Sequence, residues 1–290
     1  GYPADIMENQ FRQYPLEEDI LGALDALGYT QPTEIQAAVI PSILNGRDII
    51  AKSKTGSGKT AAFAIPICNF ADWEQNTAQA LVLEPTRELA FQVKDELYAI
   101  GRFKRLKVPV LYGGFPMEKQ ILTLKQKTHI VVGTPGRVLD HCKRGTLDLS
   151  KVRYVVIDEA DLMLDMGFIR DVTRILDLMP QRRNLGLFSA TISREVMDIS
   201  WVYQRDPEEI TVQATRENKP DILQYRIEVP SDKKVDAIAS IIRAQQLDRV
   251  ICFCNTKGST ERLTKFLQLR GLDAQCIHGD IPQRKREAVS

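Results

Sequence analysis

The run Tyr154-Val155-Val156-Ile157 is apolar at every position, where a strand with one wet face would alternate. Such a strand has to be covered on both sides, so the chain needs helices above and below a sheet. Further short β-rich runs stand at residues 48–51, 80–83, 108–112, 129–132 and 185–189, separated by helical stretches such as 86–100 and 136–143. Strands that alternate with helices connect by right-handed crossovers, and the predicted architecture is an α/β fold with a parallel sheet flanked by helices. Ahead of the first strand, Leu16, Ile20, Leu21, Leu24 and Leu27 keep to one face of a helix that Gly28 should stop.

The rhythm breaks once. Around residues 206–220 the chain becomes polar, after which strands at 224–229, 249–254 and 274–278 alternate with helices at 233–244 and 258–269. At about 150 residues per domain, 290 residues make about two domains. The reading is an extension over 1–10, a first domain over 11–208, a linker over 209–221, and the N-terminal part of a second domain over 222–290. Charge totals of 39 Lys+Arg against 38 Asp+Glu exclude a polyanion-binding tail, and 43% apolar residues exclude disorder. The five cysteines show neither zinc spacing nor a disulfide framework, and no apolar run approaches the roughly 18 residues of a membrane span. Together with the lack of a secretory leader, these features place the expected protein in the cytoplasm, with no membrane partner. His129 and His141 stand alone and suggest no metal site.

Two segments carry chemistry. Ser53-Lys54-Thr55-Gly56-Ser57-Gly58-Lys59-Thr60 follows a predicted strand and opens a predicted helix, and it matches G-x4-G-K-[ST] except that Ser53 replaces the first glycine. In that context Thr55, Gly56, Ser57 and Gly58 turn backbone N–H groups toward a phosphate chain, Lys59 reaches its outer phosphates, and the Thr60 hydroxyl is offered to Mg²⁺. About a hundred residues on, the buried strand 154–157 runs into Asp158-Glu159-Ala160-Asp161. Asp158 is the expected carrier of Mg²⁺ beside the phosphate loop, and Glu159 the group that orients and deprotonates an attacking water.

Asp158-Glu159-Ala160-Asp161, with the ordered segments below, resembles the signature of DEAD-box ATP-dependent RNA helicases, from about Phe11 to the C-terminus. Gly101-Arg102-Phe103-Lys104-Arg105 is similar to the bacterial DbpA-like subgroup, whose members act on ribosomal RNA. The resemblance implies a RecA-like P-loop NTPase domain followed by a partial second RecA-like domain, with ATP and Mg²⁺ as cofactors and RNA as partner. It also implies RNA-stimulated ATP hydrolysis, with a monomer favoured.

Residues 28–36 resemble the family's adenine-reading motif, with Phe11 at its upstream aromatic and Tyr29, Gln31 and Gln36 on the nucleotide. Tyr29 offers a stacking face, and the Gln36 amide can pair with a donor and an acceptor on one base edge. Ser189-Ala190-Thr191 resembles the segment that couples ATP state to strand separation, its hydroxyls meeting Asp161; the same hydroxyls also suit a helix cap before Arg194 and Glu195. Pro85-Thr86-Arg87, Gly113-Gly114 and Thr134-Pro135-Gly136-Arg137 match the first domain's RNA-backbone segments, and Gln283 and Arg286 a second-domain pair that contacts RNA.

The charge distribution supports this separately. Residues 101–145 hold ten Lys/Arg against two acids, net +8 in a chain of net +1. Contacts of this kind read phosphate and sugar, so sequence preference should be weak. The family's last two motifs would lie beyond Ser290, so the chain is expected to bind ATP and hydrolyse it slowly. An ATP-gated RNA clamp without unwinding and a P-loop ATPase acting on DNA are the alternative readings.

Overall fold

The computed structural model describes residues 9–54, 58–182 and 184–212; the linker from residue 213, the second alternation, and Gln283 and Arg286 lie outside the described residues. Seven strands run β1 Ile49–Lys52, β2 Ala80–Leu83, β3 Val110–Leu111, β4 Ile130–Gly133, β5 Tyr154–Ile157, β6 Asn184–Ser189 and β7 Glu208–Thr211. The helices are α1 Glu18–Ala26, α2 Glu34–Leu44, α3 Lys59–Phe70, α4 Arg87–Ile100, α5 Met117–Lys125, α6 Pro135–Arg144, α7 Ala160–Asp165, α8 Ile169–Leu176 and α9 Arg194–Tyr203. The strands form one parallel sheet in the order β3-β4-β2-β5-β6-β1-β7.

Successive side chains enter opposite layers, which is why central strands need apolar residues throughout. Ile49, Ala51, Val82, Val156 and Phe188 join one core with Phe63, Ile40 and Leu97, under α1 to α4. Ile50, Leu81, Leu83, Val155, Ile157 and Leu187 join a second core with Val138, Met163, Val172 and Ile199, under α6 to α9. At the N-terminal edge a buried Asp48 ties three segments: its carboxylate accepts from the backbone N–H of Leu185 at 2.8 Å and of Arg205 at 2.7 Å, and its carbonyl from Glu208 at 2.8 Å.

Three sequence expectations change at their boundaries. The strand expected over 108–112 shrinks to Val110–Leu111, because Pro109 has no N–H for a ladder and β3 lies at the sheet's edge. The expected linker from 209 begins as strand β7, which pairs along β1 with Ile210 as its one buried side chain. At the other end, residues 9 and 10 belong to the fold. Asn9 Nδ2 donates to Asp25 Oδ1 at 2.6 Å and to the Tyr29 carbonyl at 2.7 Å, and the Gln10 amide donates to the Thr30 carbonyl at 2.8 Å. No helix among the described residues is long and apolar enough to cross a membrane.

Candidate functional site

In a parallel sheet every strand ends at the same edge, and ligands collect there. The segments around residues 53–60, 85–87, 113–114, 134–137, 158–161 and 189–191 follow strand ends along that edge, while residues 28–36 precede β1. Those after β3, β4 and β2 occupy one half, and those after β5, β6 and β1 the other. The strand leading into the phosphate loop and the strand bearing Asp158 are not neighbours; β6, ending in Ser189, lies between them.

Lys59 bridges that gap. It opens α3 and is 7% exposed, and its Nζ lies 2.7 Å from Asp158 Oδ1 and 2.6 Å from Glu159 Oε1. Burial by itself would lower the Lys59 pKa, but the charges of Asp158 and Glu159 and their hydrogen bonds outweigh it, so the ammonium is held above its ordinary range. Glu159 titrates above the usual carboxylate value, chiefly through burial, with the Lys59 charge opposing. Its backbone is left-handed, φ 53° and ψ 49°, at the entry to α7, a strained conformation for a residue with a Cβ. The Glu159 amide donates to Asp158 Oδ1 at 3.0 Å, tying the two acids into one turn.

A third carboxyl, which sequence reading missed, faces Asp158. Glu84 follows the last residue of β2, and Leu83 of that strand pairs with Ile157. It is 0% exposed, and neither of its oxygens meets a donor group. Two carboxylates are both acceptors, and they bond to one another only through a proton. Burial first, and then the charge of Asp158, raises the Glu84 pKa well above its ordinary value. The signal for it was one glutamate at the end of an otherwise apolar strand.

Mg²⁺ is held through one or two carboxylates together with phosphate oxygens and water, and Asp158 and Glu159 beside Lys59 are carboxylates of that kind, whereas Glu84, which favours its protonated form, is not. The chain also fits a phosphate group at the start of α3. Gly58 has φ 85°, and a Cβ there would fall 2.7 Å from Thr33 Oγ1 and 2.8 Å from Gln36 Nε2. Only glycine keeps that turn open. Thr55, Gly56 and Ser57 lie outside the described residues, and Thr60 sits half-buried in the first turn of the helix.

Beside this turn lies a cleft of about 270 Å³ lined by Phe11, Tyr29, Gln31, Thr33, Gln36 and Glu96. Phe11 is itself fully packed into the core, so it forms the floor of the cleft. The Tyr29 hydroxyl donates to Glu96 Oε1 at 2.7 Å, and burial followed by that bond pushes its pKa up to about 12. Gln36 is engaged at both ends of its amide. Its Oε1 accepts from the Thr33 amide at 3.0 Å as half of a capping box, and its Nε2 donates to the Gly58 carbonyl at 3.1 Å. Each end keeps one further valence for a base edge.

Ser189 and Thr191 do meet Asp161. The Asp161 amide donates to Ser189 Oγ at 3.1 Å, Thr191 Oγ1 donates to Asp161 Oδ2 at 3.2 Å, and Ser189 Oγ donates to the Thr191 carbonyl at 2.6 Å. The capping of α9 falls instead to Ser193, which accepts from the Val196 amide.

On the other half of the edge, Thr86 caps α4 by accepting from the Leu89 amide at 3.2 Å, and Pro85 is buried beneath it. The exposed Arg87 guanidinium stacks 4.9 Å from the Tyr112 ring centroid. Gly113 and Gly114 are exposed, with open space around both. Thr134 stands at the N-cap of α6 with no side-chain cap bond, and Pro135, Gly136 and Arg137 form the first turn. The basic run over 101–145 is less free than its count suggests. Lys104 Nζ donates to the Cys68 and Asn69 carbonyls and pairs with Glu17, and Lys127 lies 2.9 Å from the Trp73 ring centroid. His129 and His141 are both buried in hydrogen bonds, and no cluster of three or more His, Cys, Asp or Glu side chains arranged to hold a metal occurs among the described residues.

Comparison with known proteins follows the same segments. The family model described as DEAD/DEAH box helicase matches residues 33–199, and that of the helicase conserved C-terminal domain matches residues 233–290. The ATP-dependent RNA helicase DbpA of Bacillus subtilis (strain 168) is 46% identical over 278 residues, covering 96% of this chain and 58% of its own. The DEAD-box ATP-dependent RNA helicase CshA of Geobacillus kaustophilus (strain HTA426) is 44% identical over 279 residues, covering 96% of this chain and 60% of its own. The chain thus spans about three-fifths of the length of these relatives. The crystal structure of a DEAD box protein from the hyperthermophile Methanococcus jannaschii superposes with a TM-score of 0.68 at 41% identity, over 96% of this chain and 75% of that one. With its RecA-like parallel sheet and both halves of the site on one edge, the chain belongs to the DEAD/DEAH box helicase family.

Proposed function

We propose that the chain is the core of an ATP-dependent RNA helicase acting in the cytoplasm, with Mg-ATP on the β5-β6-β1 half of the edge and RNA backbone on the β3-β4-β2 half. The observation that carries this reading is the position of Lys59, within 2.7 Å of Asp158 and 2.6 Å of Glu159 across 100 residues of chain. Lys59 is already aimed at the centre of the site, and phosphate oxygens would draw it from the carboxylates. Thr60 and Asp158 would hold Mg²⁺, which when bound neutralises charge on the phosphates. Glu159, freed of Lys59 and with its pKa already raised, is positioned to take the proton of an attacking water. The Asp161–Thr191 bond joins the same turn to the end of β6, so a shift at Asp158 reaches the coupling segment through two residues of backbone.

The nucleotide base would lie in the cleft beside Gln36, the RNA along the Arg87, Gly114 and Thr134 segments. Titration of the chain with ATP and GTP tests the first half. The parent should prefer ATP, Gln36→Ala should lose that preference, and Lys59→Ala should weaken ATP binding by about 10- to 100-fold, as loss of a charge-assisted contact does. Equal affinity of the parent for ATP and GTP would overturn it. Unwinding of DNA and RNA duplexes of one sequence by the full-length protein tests the second half, and equal activity on DNA would count against RNA as the substrate.

A further inference from the structure

Arg137 resembles an RNA-contacting residue by motif, yet it is half-buried and one nitrogen of its guanidinium is already bonded within the protein. Nη1 donates to the Phe115 carbonyl at 2.8 Å and approaches Gln120 Oε1 at 3.4 Å. Gln120, on α5 and 3% exposed, donates through Nε2 to the Tyr112 carbonyl at 2.9 Å. His141 lies one turn beyond Arg137 on α6 and is buried, with Nε2 2.8 Å from Gln120 Oε1 and Nδ1 2.8 Å from Thr146 Oγ1. Because an amide oxygen only accepts, Nε2–H donates to Gln120 Oε1, and the Thr146 hydroxyl donates to the His141 carbonyl at 3.1 Å.

The two carbonyls this network holds, of Tyr112 and Phe115, bracket Gly113-Gly114. Gly114 has φ +84°, and both glycines open to solvent. The same network begins on the first turn of α6, whose free N–H groups form the other backbone surface suited to an anion. It therefore fixes the spacing of two strips of donors that would otherwise ride on separate loops. Arg87, by contrast, is exposed and stacked on Tyr112, and no ion pair is recorded for it among the described residues.

We propose that Arg137, Gln120 and His141 are positioning residues that clamp the Gly113-Gly114 turn against the N-terminus of α6. The inference rests on the RNA-binding reading above and deepens it. A phosphate contact releases counterions, so losing one flattens the plot of log affinity against log salt by about 0.7 for single-stranded nucleic acid. A positioning residue weakens binding and leaves the slope alone.

The test is fluorescence anisotropy of the 290-residue chain with a short oligouridylate from about 50 to 200 mM salt. Arg87→Ala should lower the slope by about 0.7. Arg137→Ala and Gln120→Ala should each weaken binding by about tenfold at unchanged slope, and together no more than either alone. Gln120→Ala retains every charge, so it decides the matter even if an Arg137 variant fails to fold. A slope change in Arg137→Ala or parental binding by Gln120→Ala would overturn the proposal. Absence of RNA binding by the parent chain would sink the functional reading itself, and this inference with it.

Discussion

At the scale of single residues, charge counted along the chain is a poor guide to charge presented. Lys104, Lys127 and Arg137 all belong to the basic stretch, and each is engaged with a carbonyl or a ring of its own domain. The acidic side shows the converse. Glu84 has no motif to announce it, and the pairing of β2 with β5 sets it against Asp158. Its folded-state pKa lies above that of an unfolded glutamate, so the native protein holds a proton that the unfolded chain releases. The stability this contributes is full below the ordinary glutamate range and is lost as the pH rises toward the folded value. Glu84→Gln removes the dependence. Thermal midpoints of variant and parent should be close near pH 5 and should diverge in favour of the variant toward pH 8. A difference that stays constant with pH would show that Glu84 is ionised in the folded protein.

At the scale of elements, the central strands were legible because burial on both faces demands apolar residues at consecutive positions, as in Leu81, Val82 and Leu83. Edge elements were not. In β7, Glu209 and Thr211 face away from the core, Glu208 shares the face of Ile210 but bonds to Ser42, and only Ile210 is buried, so the segment reads as polar linker until its backbone is seen paired with β1. The hydroxyls of Ser189 and Thr191 suited either a contact with Asp161 or a helix cap; they meet Asp161, and the cap of α9 is Ser193, the residue that immediately precedes the helix. Asp48 joins β1, β6 and the segment before β7 through backbone donors alone, a role with no sequence signature. Asp48→Ala leaves the buried Leu185 N–H and the part-buried Arg205 N–H without their acceptor and should destabilise the fold by about 1–3 kcal/mol in chemical denaturation. Asp48→Asn keeps one acceptor and should lose about half as much.

At the scale of the molecule, β7 completes the unit that ends at Gln213. A chain stopped after residue 212 should melt cooperatively and bind ATP. One stopped after residue 207 uncovers the edge of β1 and should melt about 5–10 °C lower, since each kcal/mol shifts the midpoint of a domain this size by about 2–4 °C. Equal midpoints would mean that β7 is an ornament of the sheet. The sequence by itself determined the parallel α/β architecture, the phosphate loop, the paired acids and the family they resemble, because each depends on residue types at short spacing along the chain. The tertiary structure alone decided that β6 separates the strands leading to Lys59 and Asp158, that Glu84 lies against Asp158, and that Arg137 bonds to the Phe115 carbonyl. Strand order and side-chain partnership are contacts between distant residues, set by how the layers pack, and no local pattern encodes them.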